Sequence, residues 1–368
     1  MTISFNSFFT PNPSPSMLLS LSSSLEWIDS SSSSTDDPPH RRRPPGDDDD
    51  VVVCTPDRNP YAAHLTEGER VIGSRVEAWL RPPALEAMLH RAGHDGAWKR
   101  NWNAYREVFD PMAECAPDQR VCIGGPCRSD ESKVTCGINA LRPGCVVYSI
   151  GGNDQWGFET DVLEKTPCTV HTFDCTGPRS RFHPPVHERL HFHHVCLGAY
   201  HEDAPTTCQG KKKKCGPTWT LLEIQQKLDH KHVDLHKMDI EGFEWPIFDS
   251  WPELGLGQSE SGISHGIIHN NNNNSSNSSS KVVLPTQLLV EIHYKTRFSA
   301  LWKPNRTGFG SPFKDPPDIV LLQAHLLRMG YIVVERDDNR FCNHCTELTL
   351  IRIKSCPSSS SSESNLLP

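Results

Sequence analysis

Two carboxylates two positions apart, Asp239 and Glu241, lie in the stretch HKMDIEGFEW at residues 236–245. A positioned carboxylate can take the proton of a hydroxyl group while that oxygen attacks another atom, so the pair is a candidate for general-base catalysis. The alternative is that the pair only caps a helix beginning near Phe243, because negative charge stabilises a helix N-terminus. The sequence leaves both interpretations open.

Two basic side chains bear on the same site. His293 closes the apolar run QLLVEIH, and its imidazole titrates near neutral pH, which makes it another candidate base. Lys237 would share a strand face with Asp239 and could keep that carboxylate ionised, although a lysine that extends its ammonium into water is an equal alternative. We predict that Asp239, Glu241 and His293 are the catalytic residues.

A pair of glycines, Gly151 and Gly152, directly follows the apolar run CVVYSI. Glycine permits a close approach of ligand to backbone, and about 20 residues later Asp174 ends the next apolar run, where a carboxylate can accept hydrogen bonds from ribose hydroxyls. A tight turn and a helix cap would explain the same residues. The segment GGNDQWG lacks the GxGxxG pattern of dinucleotide-binding proteins, so a nucleoside cofactor without a pyrophosphate fits better, which points to S-adenosylmethionine.

We predict seven strands, and these strands position the candidate site residues. They cover residues 145–150, 168–174, 191–198, 232–240, 287–293, 331–335 and 346–353. Strand and helix alternate five times before the last two strands, which are close enough in sequence to form an antiparallel pair. Alternation indicates an α/β fold with a mostly parallel sheet and helices on both faces. Ligands of such sheets bind at the carboxyl ends of the strands, where Gly151, Asp174, Asp239, Glu291 and His293 all fall.

Several of these segments together resemble a known family. In chain order, VYSIGGNDQWGFE, VHTFD, HHVCLG, KMDIEGFEW and LLVEIH are similar to the FkbM-type methyltransferases, and most closely to the methyltransferase-like protein 24 group. The resemblance covers about Cys115 to Ile353. It implies a Rossmann-like class I methyltransferase fold with a seven-stranded sheet and a C-terminal antiparallel strand pair. It also implies S-adenosylmethionine as cofactor and methyl transfer to a hydroxyl group.

The resemblance assigns roles as well. It implies that Asp239 and Glu241 lie at the reaction centre. The predicted cofactor-binding residues, all within the matching segments, are Gly151, Gly152, Glu159, Asp174 and Leu197. Two departures from the family pattern are a glycine turn short of the usual three glycines and the run NNNNN before the fifth strand. A catalytically degenerate ligand-binding protein on the same fold is therefore the alternative function.

Composition divides the chain into segments. Residues 1–60 and 357–368 hold too few apolar side chains to offset the entropy of ordering them, so we predict disordered low-complexity tails. Residues 61–114 are predicted to be a helical extension. Residues 115–356 are predicted to be the methyltransferase domain, with a flexible asparagine- and serine-rich insertion near 257–281.

Charge and cysteine content limit the partners. With 37 basic and 45 acidic side chains, the chain has no general positive field for nucleic acid, and no apolar stretch reaches the ~20 residues of a membrane-spanning helix. The histidines of HFHH alternate between strand faces, so they cannot all bind one metal ion. The pair Cys342 and Cys345 lacks the further ligands of a zinc site, so thiols or a disulfide are favoured there. No metal is expected. We expect a small-molecule or glycan acceptor. The 14 cysteines leave the compartment open, with cytoplasm slightly favoured over the secretory pathway.

Overall fold

A seven-stranded sheet flanked by helices on both faces forms the core of the structure. The computed structural model describes residues 59–94, 107–129, 131–203, 215–253, 282–294, 316–338 and 345–353. All of these belong to one compact unit, Cys54–Pro368. The predicted insertion near 257–281, the predicted tail 357–368 and nearly all of the predicted tail 1–60 lie outside the described residues.

Helices and strands follow one another along the described chain. The α-helices are α1 (Glu69–Leu80), α2 (Pro82–His94), α3 (Gly157–Lys165), α4 (Leu221–Leu228), α5 (Glu244–Asp249) and α6 (Pro316–Arg328). The strands are β1 (Arg120–Ile123), β2 (Lys133–Cys136), β3 (Val146–Ile150), β4 (Thr169–Phe173), β5 (Leu190–His193), β6 (Cys196–Leu197), β7 (Thr218–Trp219), β8 (Leu235–Met238), β9 (Gln287–His293), β10 (Tyr331–Asp337) and β11 (Cys345–Arg352).

The large sheet has the strand order β10-β11-β9-β8-β3-β4-β5. Strands β5, β4, β3, β8 and β9 are parallel to one another, and β11 is antiparallel to both β9 and β10. The sheet is therefore mixed, with a parallel majority and a C-terminal antiparallel pair, as predicted. The chain reverses its direction of progress across the sheet between β3 and β8, which is where ligands bind in open α/β sheets.

Two apolar clusters cover the two faces of the sheet. Val146 and Tyr148 point into one cluster, and Val147, between them, points into the other, as the period of two in a strand requires. Helix α4 packs on the first face, and its N-cap is Thr220, whose side chain forms a capping box with Glu223. The predicted layered α/β arrangement is confirmed.

The predicted regular alternation is wrong at one place. No α-helix connects β4 to β5, and only the short 3-10 turn Arg179–Arg181 forms in that segment, every residue of which is described. The cause is the composition of the segment, because Pro178, Pro184 and Pro185 remove backbone donors and bias the residues before them away from helical geometry. Two small sheets, β1-β2 and β6-β7, were also absent from the sequence prediction.

Disulfide bonds tie these elements together. Cys115–Cys136 and Cys122–Cys127 cross-link the hairpin of β1 and β2. Of two further disulfide bonds, Cys145–Cys168 joins the residues directly before the neighbouring strands β3 and β4, and Cys175–Cys196 joins the segment after β4 to β6. Cys345 is also disulfide-bonded, in agreement with the expectation of a disulfide there, whereas Cys342 lies outside the described residues.

Candidate active site

The glycine turn after β3 touches the carboxyl end of β8. Gly151 has a φ of +80°, and a Cβ at this position would overlap the carbonyl oxygen of Asp239, so only glycine fits without displacement. The Gly151 amide donates to the Phe173 carbonyl (3.0 Å), and the Lys237 ammonium donates to the Gly151 carbonyl (2.7 Å). The turn is therefore fixed to both neighbouring strands.

Asp174 braces this turn. One carboxylate oxygen, Oδ2, accepts from the backbone amide of Asn153 (2.9 Å), and Oδ1 accepts from the amide (2.8 Å) and hydroxyl (2.5 Å) of Thr176. The residue is buried at the end of β4. Each carboxylate oxygen has two acceptor sites, so Asp174 retains capacity for a ligand hydroxyl.

Glu159 lies beneath the same turn, in the first helical turns of α3. It is buried, its Oε1 accepts from the Thr172 hydroxyl (3.2 Å), and its Oε2 has no hydrogen-bond partner among the described residues. A Cβ at Gly152 would lie 3.7 Å from Glu159 Oε1. Leu197 is placed differently, because it packs in the apolar core with Leu221 and offers little open surface to a ligand.

Asp239 begins a cluster of charged side chains at the carboxyl ends of β8 and β9. Its side chain is 26% exposed, the Lys133 ammonium lies 3.6 Å from its Oδ2, and a hydrogen bond joins its carboxyl to that of Glu291. The Lys133 ammonium also donates to Glu347 Oε1 at 2.6 Å. Asp239 is thus the accessible member of a largely buried ionic network.

The two carboxyls of the Asp239–Glu291 pair differ in protonation. Although burial raises it, the charges of Lys133, Lys237 and His293 hold the pKa of Asp239 down at about 2. Burial, with the ionised Asp239 beside it, raises the pKa of Glu291 to about 8. At neutral pH Asp239 is therefore an acceptor and Glu291 carries the proton between them.

His293 forms the other half of the cluster. Its Nδ1 lies 3.1 Å from Glu244 Oε1, and its Nε2 lies 3.8 Å from Glu291 and 3.9 Å from Glu241. Burial opposes the charge on the ring, but Glu244, Glu291 and Asp239 raise the pKa of His293 to about 10. The ring is therefore an imidazolium at neutral pH, which fits a positioned cation better than a base.

Helix capping does not account for the acidic pair. The N-cap of α5 is Phe243, which makes no side-chain cap hydrogen bond. Instead Glu244, in the first turn of α5, accepts from the Ile240 amide (2.9 Å). Glu241 has a φ of +60°, an uncommon conformation for a residue with a side chain, and such strain concentrates at functional sites.

Comparison with known proteins identifies the family. A family model described as a methyltransferase domain matches residues 81–284, more than half of the 368 residues. The chain belongs to this methyltransferase family. No curated protein gives a significant match.

One solved structure, named "Putative hemolysin from Streptococcus thermophilus", is 11% identical to the methyltransferase. The match covers 58% of this chain and 62% of that one, with a TM-score of 0.30. The chain thus spans less than two thirds of that structure, and so low a score supports no argument about fold or function.

The candidate site contains four residues to which the sequence analysis gave no role. Glu244 is the last acidic residue of the motif KMDIEGFEW, so its spacing offered a signal. Glu291 lies two residues before His293 on β9 and faces the same side. Lys133 and Glu347 carried no signal, because β2 and β11 join the site only through the three-dimensional pairing of distant segments.

One trio in the methyltransferase has the geometry of metal ligands. Ligand atoms of Glu291, His293 and Cys345 lie within 4.8 Å of one another. The Cys345 sulfur is disulfide-bonded, so it is not available as a thiolate.

The histidines of HFHH do point to different sides: His193 contacts His171 (3.0 Å between ring nitrogens), whereas His194 Nε2 contacts the Gly177 carbonyl (2.7 Å).

Proposed function

We propose that the protein is an S-adenosylmethionine-dependent methyltransferase that methylates a hydroxyl group. The observation that carries this proposal is the contact between the glycine turn and Asp239 at the centre of the sheet. It brings the predicted cofactor turn and an ionised, partly exposed carboxylate to one place. Family membership supplies the reaction class.

Sheet topology supports a class I assignment. Numbered along the sheet strands alone, the order β5-β4-β3-β8-β9-β11-β10 is 3-2-1-4-5-7-6, with the seventh strand antiparallel. This order supports the Rossmann-like arrangement that the sequence resemblance implies. Its switch point separates β3 from β8, where the candidate site lies.

The residues present fit the cofactor. Asp174 would accept hydrogen bonds from ribose hydroxyls, and the partnerless oxygen of Glu159 beneath the turn would complement a cationic group. When bound, S-adenosylmethionine supplies a methyl group on a positively charged sulfur. Asp239 would accept the proton of the acceptor hydroxyl, with its hydrogen bond to Glu291 holding it in place.

Disulfide bonds support an oxidising compartment. Four lie wholly within the described residues, and Cys215 and Cys345 are disulfide-bonded too. Such bonds are rare where glutathione keeps thiols reduced. The proposed compartment is therefore the secretory pathway, where glycans are available as methyl acceptors. Among the described residues, no helix has the length and apolarity to cross a membrane.

The proposal is tested by titrating the full chain with S-adenosylmethionine, S-adenosylhomocysteine and NAD in a calorimeter. Labelled methyl transfer to hydroxylated metabolites and glycans is then measured. We expect the two adenosyl compounds to bind, NAD not to bind, and label to appear as an ether. Binding without transfer to any acceptor supports the degenerate ligand-binding alternative, and absence of binding refutes both.

A further inference from the structure

The residue whose position the proposed function does not yet explain is Lys133. It lies on β2, outside the large sheet, and its side chain is only 3% exposed. Burying an ammonium is costly unless it is paired, and here Glu347 (2.6 Å) and Asp239 (3.6 Å) pair with it. Lys133 thus reaches Asp239 from the buried side.

The hairpin that carries Lys133 is fixed to the sheet. The amide and carbonyl of Cys136 both bond to the side chain of Gln287, each at 2.9 Å, and Gln287 is the first residue of β9. The Thr349 hydroxyl of β11 donates to the Val134 carbonyl at 2.5 Å. Together with the Cys115–Cys136 disulfide, these contacts fix the lysine at the carboxyl ends of β8 and β9.

Resting on the function proposed above, we propose that Lys133 is a positioning residue that keeps Asp239 ionised and oriented toward the acceptor hydroxyl. Lys237, the other lysine near Asp239, donates to the carbonyls of Gly151 and Ile150, so its ammonium is engaged by the glycine turn. Lys133 is engaged by carboxyls alone. Lys237 therefore contacts the glycine turn, whereas Lys133 is paired with the carboxylate that would act as the base.

Several charged groups surround Asp239 and could affect its titration. Besides Lys133, these groups are Lys237 on β8, Glu291 and His293 on β9, Glu347 on β11, and Glu241 and Glu244 at the start of α5. Glu291, Glu347, Glu241 and Glu244 are negative or protonated, so none can replace a lost ammonium. His293 is already engaged by Glu244. Removing the Lys133 ammonium should therefore change the titration midpoint of Asp239.

The experiment follows Asp239 directly in the full-length protein. Aspartate carboxyls are labelled with carbon-13, the Asp239 signal is assigned with Asp239→Asn, and its titration is compared in wild type, Lys133→Met and Lys133→Arg. We expect Lys133→Met to raise the titration midpoint by about one pH unit or more and Lys133→Arg to restore it. Lys165→Met, which removes an exposed lysine paired with Asp161 at 2.8 Å, is the control and should change nothing.

Turnover gives a second readout. The acid limb of the pH profile of kcat should move upward with the titration midpoint in Lys133→Met, while KM for the methyl donor stays unchanged. If Lys133→Met does not fold, Lys133→Gln, which removes the charge but keeps a polar group among the carboxyls, takes its place and should raise the midpoint in the same way. An unmoved midpoint in the folded variant refutes the role of Lys133, whereas a wild type without turnover refutes only the proposed function, since the titration remains measurable.

Discussion

At the scale of single residues, Asp239 and Glu291 show how neighbouring carboxyls acquire different states. The motif KMDIEGFEW predicts Asp239 and Glu241 as candidate site residues, because they follow a predicted strand directly. It could not predict the proton on Glu291, whose pKa depends on burial and on Asp239 across the sheet. The spacing of acidic residues in the sequence therefore indicates the candidate proton acceptor, Asp239, but not the carboxyl group of Glu291 that shares a proton with it.

Asp239→Asn tests the acceptor. The amide keeps the shape of the side chain but cannot take a proton, so we expect turnover to fall by about 100-fold or more while the affinity for S-adenosylhomocysteine is nearly unchanged. Rates and calorimetric affinities are measured on the same preparations. Asp203→Asn, at an exposed position, is the control. Full turnover in Asp239→Asn would show that this carboxylate is not the base.

Glu291→Gln tests the shared proton through stability. The raised pKa of Glu291, about 8 against an ordinary 4.5, means that its stabilising contribution is complete below about pH 4.5 and is lost as pH rises through 8. The raised pKa values of Glu347 (about 7) and His293 (about 10) act in the same direction, so wild-type stability should fall from pH 5 to 9.

Glutamine cannot ionise but can still donate to Asp239. We therefore expect Glu291→Gln to gain about 1 kcal/mol or more relative to wild type between pH 5 and 9, measured by urea denaturation. Glu164→Gln, on the exposed side of α3, should follow the wild-type curve. Parallel curves for Glu291→Gln and wild type would mean that Glu291 is already ionised at neutral pH.

At the scale of elements, the hairpin β1-β2 is the feature that sequence reasoning missed. The glycines, prolines and cysteines between Cys115 and Gly137 are typical of irregular structure, yet disulfide bonds and pairing with Gln287 hold two regular strands there. Four-residue strands have too few residues for period-two alternation to be recognised. Their positions depend on cross-links that sequence alone does not pair.

Breaking the two hairpin disulfides separately tests how the hairpin is held. Cys115→Ser with Cys136→Ser opens a loop with a sequence separation of 21, and Cys122→Ser with Cys127→Ser opens one of 5. Since loop entropy grows with length, we expect losses of about 3 and about 2 kcal/mol in the free energy of unfolding. Denaturation under oxidising conditions measures both. A larger loss for the short loop would contradict the entropic explanation.

At the scale of the whole molecule, the seven strands of the large sheet were predictable from sequence, but which strands lie side by side in the sheet was not. Apolar runs bounded by turn residues identified each strand from β3 to β11 in the sheet, because buried parallel strands are apolar on both faces. The order of the sheet places β3 between β4 and β8, segments separated by more than 60 residues. It is this long-range pairing that joins Asp174, Gly151 and Asp239 into one site.

Cofactor binding should therefore stabilise the whole sheet. S-adenosylhomocysteine at 100 times its Kd should add about 2.7 kcal/mol to the free energy of unfolding, because it binds only the folded chain, and NAD should add nothing. Asp174→Ala removes the carboxylate that braces the turn, so we expect it to weaken S-adenosylhomocysteine affinity by about 10-fold or more and to reduce this stabilisation to about 1.4 kcal/mol or less at the same ligand concentration. Thermal unfolding with and without ligand measures the effect, with Asp203→Asn as control. An Asp174→Ala protein that folds and is stabilised as much as wild type would exclude this strand end from the cofactor site.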